Sequence, residues 1–338
     1  MSSIPLDEDC FIVDSLEFDD EGGERTGLVC LSGGKDSVAM LLRMLELDDE
    51  ESYPITKICF ADTRFEYPEL YEYLDRIQKY LDVNYPDRGL KIDWLQSDST
   101  WEDWFYGEVT RGANKGKIRG APLVSHPCWW SREAKVLPLQ KVAKEINATY
   151  QFIGIAADET KRISKDPKTI RYPLVEWGWT EADCIAYLDE KGLGNPLYLS
   201  FKRLGCFHCP KKKVSDFYQD WLNYPELFQK AKFWSDEGER ANGMKYLKIH
   251  TLSELEEMFE NGYIPKSNQT HYDCRTCNAV SFFSDGSVKE EDFDSDDAIE
   301  RDAKYSGSKI ELEENKKMEK ETEWIPPSQR GKKGLRWL

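Results

Sequence analysis

The 338-residue chain is poor in the features that mark several large protein classes. Nine cysteines are too sparse for a disulfide scaffold. No stretch reaches the roughly 18 consecutive apolar residues of a membrane-spanning helix. The N-terminus, MSSIPLDEDC, has no basic segment followed by an apolar run, so no secretory signal is read there. Basic residues are outnumbered: 46 Lys and Arg against 63 Asp and Glu leave a net charge of −17. That excess argues against uniform wrapping of duplex DNA and against an anionic membrane surface. It leaves room for a local basic patch or a small anionic ligand. No internal repeat is present. A cytoplasmic protein with no membrane partner is expected, and a homo-oligomer stays open.

What is present is ordered. TGLVCL at 26–31, KICFAD at 57–62, LKIDWLQ at 90–96 and QFIGIAADE at 151–159 are short and mostly apolar, as buried parallel strands are. VAMLLRMLEL at 38–47, PELYEYLDRIQKYL at 68–81 and LQKVAKEI at 139–146 have helical spacing between them. The alternation predicts an α/β fold, a mainly parallel sheet with helices on both faces, plus a helical and cysteine-bearing C-terminal region. Four segments are expected. Residues 1–25 form an N-terminal extension and 26–213 the α/β domain. Residues 214–280 form a helical region with the second C-x-x-C, and 281–338 a charged tail, with six acids in the ten residues EDFDSDDAIE. Residues 98–132 are less regular, either a substrate-facing insertion or a packed connector.

The strongest chemical signal is LVCLSGGKDSVAMLL, a buried strand running through two glycines into a helix. Glycines permit a tight turn and close backbone approach, and amides at a helix start suit a phosphate oxyanion. Ser32, Gly33, Gly34, Lys35, Asp36 and Ser37 are therefore the candidate phosphate loop. The hydroxyls act as donors, Lys35 supplies charge, and Asp36 holds Mg²⁺ or orients the loop. The pattern is not G-x-x-x-x-G-K-[ST], which disfavours a P-loop kinase or GTPase.

The loop resembles that of the adenine-nucleotide alpha-hydrolase-like superfamily, the N-type ATP pyrophosphatases. Further segments resemble its phosphoadenylyl-sulfate (PAPS) reductase-like branch: ADTRFEYPE at 61–69, CWWSREAKVLPL at 128–139, GIAADETKR at 154–162, YPLVEWGWTEADCIAYL at 172–188 and NPLYLSFKRLGCFHCP at 195–210. Two positions depart from it: Arg64 stands where the branch has glycine, and Ala156 where it has arginine. The resemblance implies ATP over residues 32–37 with Asp62 near the nucleotide. It also implies Lys35, Asp36, Lys135, Asp158 and Arg162 as catalytic residues, with Arg132, Lys161 and Arg171 as further cations.

Cys206 and Cys209 form C-F-H-C, Cys274 and Cys277 form C-R-T-C, and Cys128 stands in the family-like segment. Cys128, Cys206 and Cys209 suit a [4Fe–4S] cluster with one iron open or held by Cys274 or Cys277; the two C-x-x-C pairs equally suit zinc. His126, His208 and His271 lie near cysteines and are reserve ligands. Cys30, Cys59 and Cys184 read as small core residues. The C-terminal Glu-Cys-Gly-x-His motif of sulfonucleotide reductases is absent. The resulting expectation is an ATP-dependent sulfurtransferase. It would adenylate an acceptor, such as a nucleobase of tRNA or DNA, release pyrophosphate, and take sulfur from a cysteine desulfurase or another donor. The alternatives are a PAPS/APS reductase-like oxidoreductase or nucleotide hydrolase, and a nucleotide-binding regulatory protein.

Overall fold

The computed structural model describes residues 25–112, 114–124, 127–159, 162–163, 169–247 and 250–265. Five parallel strands form one sheet: β1 Gly27–Leu31, β2 Lys57–Ala61, β3 Ile92–Leu95, β4 Tyr150–Ile153 and β5 Ile170–Arg171, in the order β3-β2-β1-β4-β5. Because side chains alternate along a strand, Val29 and Leu31 face one way and Leu28 and Cys30 the other. Val29 and Leu31 join the main core with α1 (Lys35–Leu47) and α2 (Pro68–Asn84). Leu28, Cys59 and Ala61 pack against Leu139 and Ala143 of the helix on the opposite face. Burial on both faces explains why the strands read as continuous apolar runs.

The remaining helices have local causes. α3 (Trp101–Phe105) starts at a Thr100–Asp103 capping box. α4 (Trp129–Ser131) runs through a π-helical turn, Arg132–Val136, into α5 (Leu137–Glu145). Pro138 lacks an amide donor, and the widened turn ahead of it accommodates that loss. α6 (Pro173–Glu176) opens on proline, and α7 (Glu181–Glu190) on a Thr180–Asp183 capping box. α8 (Val214–Asn223), α9 (Pro225–Asn242) and α10 (Leu252–Glu260) form the helical C-terminal region, with Phe217, Phe228 and Leu255 in the same core as α1 and α2.

The expected strands and helices are found, with two differences. The fourth strand ends at Ile153, because Gly154 leaves the sheet to pass against α1. The two-residue β5 carries too short an apolar pattern to read from sequence. Cys274, Cys277, His126, His271, Lys161, the N-terminal extension and the charged tail lie outside the described residues.

Candidate active site

The strand order reverses between β1 and β4, and ligands of open parallel sheets gather outside the carboxyl ends of strands at such a point. Both strands exit there into glycine. Gly33 has φ +73°, a left-handed geometry that glycine takes without strain. Gly154 lies so close to α1 that an added Cβ would stand 2.6 Å from the Ser37 backbone. The loop is held by short bonds. Ser32 N donates to Ser37 Oγ (3.1 Å), Gly34 N to Ser32 Oγ (3.3 Å), and Ser37 Oγ to the Gly34 carbonyl (3.0 Å). Two residues far along the chain complete it: Lys35 N donates to the Tyr198 hydroxyl (3.1 Å), and Asn195 Nδ2 to the Gly33 carbonyl (3.0 Å). Ser32 itself is exposed at the rim.

Lys35 is buried, with its ammonium 3.2 Å from Asp36 Oδ2 and 3.0 Å from Glu181 Oε1. Burial opposes its charge, but Asp36, Tyr198 and Glu181 outweigh burial and hold it above the ordinary lysine range. Burial pushes the Asp36 carboxyl up to about 6; Lys35 pulls it down, while Glu181 and Glu159 add to the rise. Asp36, Glu159 and Glu181 bring one carboxylate oxygen each within 4.8 Å of one another. Their charge is already countered, by Lys35 and by Arg162, which pairs with Glu159. Asp158 accepts a bond from Glu181 N (3.2 Å) and so caps the start of α7.

Asp62 sits at the end of β2 with both oxygens engaged: Arg64 N and the Tyr71 hydroxyl donate to Oδ1 and Gln96 Nε2 to Oδ2. The bond from Arg64 N fixes a turn in which Arg64 has φ +63°, the geometry for which glycine is the ordinary choice.

The same turn reaches the cysteines. The Thr63 hydroxyl is 3.3 Å from Cys206 Sγ and donates to Glu66 Oε1 (2.8 Å); Lys135 Nζ, presented by the π-helical turn, stands 3.4 Å from that carboxylate oxygen. Burial, with Glu66 adding, pushes the Cys206 thiol up to about 12. Cys128 caps α4, accepting from Ser131 N at 3.4 Å. Fully buried Tyr246 is within electrostatic reach of Cys128, Cys206 and Cys209. None of the six described cysteines is in a disulfide. Around the thiols lies a shell of rings. His208 stacks on Phe65 (4.6 Å) and meets Trp101 edge-on (4.4 Å), and Trp101 stacks on Trp129. Burial, with Lys212 adding, pushes the His208 imidazole down to about 3, so it is neutral.

Several of these residues were not foreseen. Glu159, Glu181, Tyr198 and Asn195 complete the loop, Thr63 and Glu66 border Cys206, and Tyr246 is within electrostatic reach of the thiols. All of these but Tyr246 lie inside the quoted family-like segments, the one available signal. Tyr246 lies in a helical region with no motif.

A family model for the phosphoadenosine phosphosulfate reductase domain matches residues 27–212, more than half of the chain. The chain belongs to that family. An uncharacterized protein of Methanocaldococcus jannaschii is 26% identical over 249 residues, 68% of this chain and 54% of the relative. The phosphoadenosine 5'-phosphosulfate reductase of Vibrio parahaemolyticus is 22% identical over 59% of this chain and 74% of its own. A crystal structure of PAPS reductase from Candida auris in complex with phosphate aligns with TM-score 0.35 and 18% identity, covering 56% of this chain and 83% of that one. The chain spans about half the length of its archaeal relative. These findings correct the sequence-based expectation. The ATP-pyrophosphatase and sulfurtransferase activity is not supported by the matched domain, whose named relatives are PAPS reductases. The reductase-like alternative is the reading they back. No helix among the described residues of this PAPS-reductase-like chain is long and apolar enough to cross a membrane.

Proposed function

We propose that the chain is a PAPS/APS reductase-like enzyme acting on an adenosine phosphosulfate. In this reading the phosphate end of the nucleotide lies at the loop 32–37 and the sulfonate end faces Lys135 and the thiols. The observation that carries it is the continuous contact Thr63–Cys206–Glu66–Lys135, which joins the end of β2 to the cysteine site. Lys35 and Lys135 are the cations available to an anion stretched between the two. The cysteine pattern suits a [4Fe–4S] cluster, with zinc as the alternative, and two orphaned polar groups support a site there. Tyr246 is within electrostatic reach of the three thiols, and its hydroxyl, like Trp129 Nε1 beside Cys128, is buried with no hydrogen-bond partner among the described residues. Cys128, Cys206 and Cys209 would hold the cluster, and it would supply a polarising wall beside the sulfonate. The chain has no Glu-Cys-Gly-x-His segment, so the two electrons that release sulfite are assigned to an external dithiol.

The test is anaerobic incubation with adenosine 5'-phosphosulfate or its 3'-phosphorylated form plus a dithiol, reading sulfite and the adenosine phosphate. Both products are expected. The Gly33→Val/Gly34→Val variant should bind either nucleotide at least tenfold more weakly while keeping its far-ultraviolet circular dichroism. A folded wild-type protein that binds neither nucleotide would reject the reading.

A further inference from the structure

His208 is the least satisfied polar side chain of the site. It is 3% exposed, and neither Nδ1 nor Nε2 has a hydrogen-bond partner among the described residues. A neutral imidazole carries one donor and one acceptor. Burying both unmade opposes folding. Packing does not require a polar ring here, because the surroundings are Phe65, Trp101, Phe207 and Tyr246, and phenylalanine would suit that shell. Residue 208 also lies between Cys206 and Cys209. Its stacking partner Phe65 donates its amide to Thr63 Oγ1, the atom that touches Cys206 Sγ. The Tyr246 ring lies 5.9 Å from the imidazole, and its hydroxyl is within electrostatic reach of the three thiols.

We infer that His208 is the fourth protein ligand of the metal centre, so that the set is Cys128, Cys206, Cys209 and His208, and no iron is left open. The inference rests on the cluster reading above. Three thiolates satisfy three irons of a cubane, and a buried imidazole with an uncommitted lone pair satisfies the fourth. Cys274 and Cys277 are not needed by this set.

The experiment is pulsed electron paramagnetic resonance on the full-length, anaerobically reconstituted and reduced protein, with histidine selectively labelled with ¹⁵N. Iron and acid-labile sulfide are counted on the same sample. The expected result is four irons and four sulfides with a strong nitrogen coupling that changes on labelling. In His208→Phe that coupling disappears, and mild oxidation removes about one iron in four, as an open iron is shed. Cys274→Ser and Cys277→Ser should leave both readings unchanged. A full cluster without histidine coupling in the wild-type protein overturns the inference and leaves the cluster reading standing; this measurement needs no variant to fold. Coupling that persists in His208→Phe also overturns it, in favour of another histidine. Protein that takes up no iron and sulfide overturns the cluster reading and the inference together.

Discussion

Asp36 shows how one residue can set the pH response of the loop. Its carboxyl is pushed up to about 6 by burial, with Glu181 and Glu159 adding to the effect against Lys35. Above pH 6 the ionised carboxylate works against the folded state, and that opposition is relieved as pH falls toward the ordinary carboxylate value. The same proton matters for ligands. As pH falls through 6, a negative charge beside Lys35 is lost, so an incoming anion meets a more positive loop. Adenosine 5'-phosphosulfate, which has no group titrating in this range, should bind about five- to tenfold tighter at pH 5.5 than at 7.5. Asp36→Asn should flatten the difference. Isothermal titration at the two pH values checks both statements, and weaker binding at pH 5.5 would contradict them.

Among the elements, α2 and α8 are joined by a buried charge. Asp220 at the inner face of α8 is wholly buried, accepts from the Tyr67 hydroxyl that precedes α2, and pairs with Lys212. Breaking such a pair from one side leaves an uncompensated buried charge, whereas removing both ends does not. Asp220→Ala should therefore lower stability by about 3–5 kcal/mol in urea unfolding, and Lys212→Met/Asp220→Leu by clearly less. Equal losses would show that packing, not charge, holds the two helices. The helices themselves were legible in the sequence because their signals are local: apolar spacing, Thr caps, Pro at the first position. So was the strand–glycine–helix turn at 32–37, whose parts are contiguous. The partners of that loop were not. Tyr198 and Glu181 lie inside the family-like segments, but they meet Lys35 only through the folded sheet edge, and no local pattern singles them out. Arg64 shows a different limit. A glycine-type turn survives without glycine because Asp62 holds it, which composition alone does not reveal. The activity was misread for a related reason: an S-G-G-K-D-S loop between strand and helix points to the fold and leaves the bond to be broken unspecified.

At the scale of the whole molecule, a net charge of −17 makes self-repulsion a standing term. Added salt screens it, and screens the surface ion pairs such as Lys57–Asp93 and Lys91–Asp82 as well. Exposed pairs are worth about 0–1 kcal/mol each and partly cancel, so repulsion should decide the sign. Raising potassium chloride from 0.05 to 0.5 M should lift the Tm by roughly 2–6 °C. A fall over that range would place the surface pairs ahead of the net charge. The loop's distant clamps have a consequence of another kind, one of timing. Gly33 and Lys35 are closed by Asn195 and Tyr198, 162 and 163 positions later in the chain. At about 5–20 residues per second, a ribosome needs roughly 8–30 s to deliver those partners after the glycines have emerged. For that interval the nascent chain has made the loop that the proposed function assigns to the nucleotide's phosphates and lacks the residues that shape it, so on that proposal nucleotide capture belongs to the late stage of synthesis.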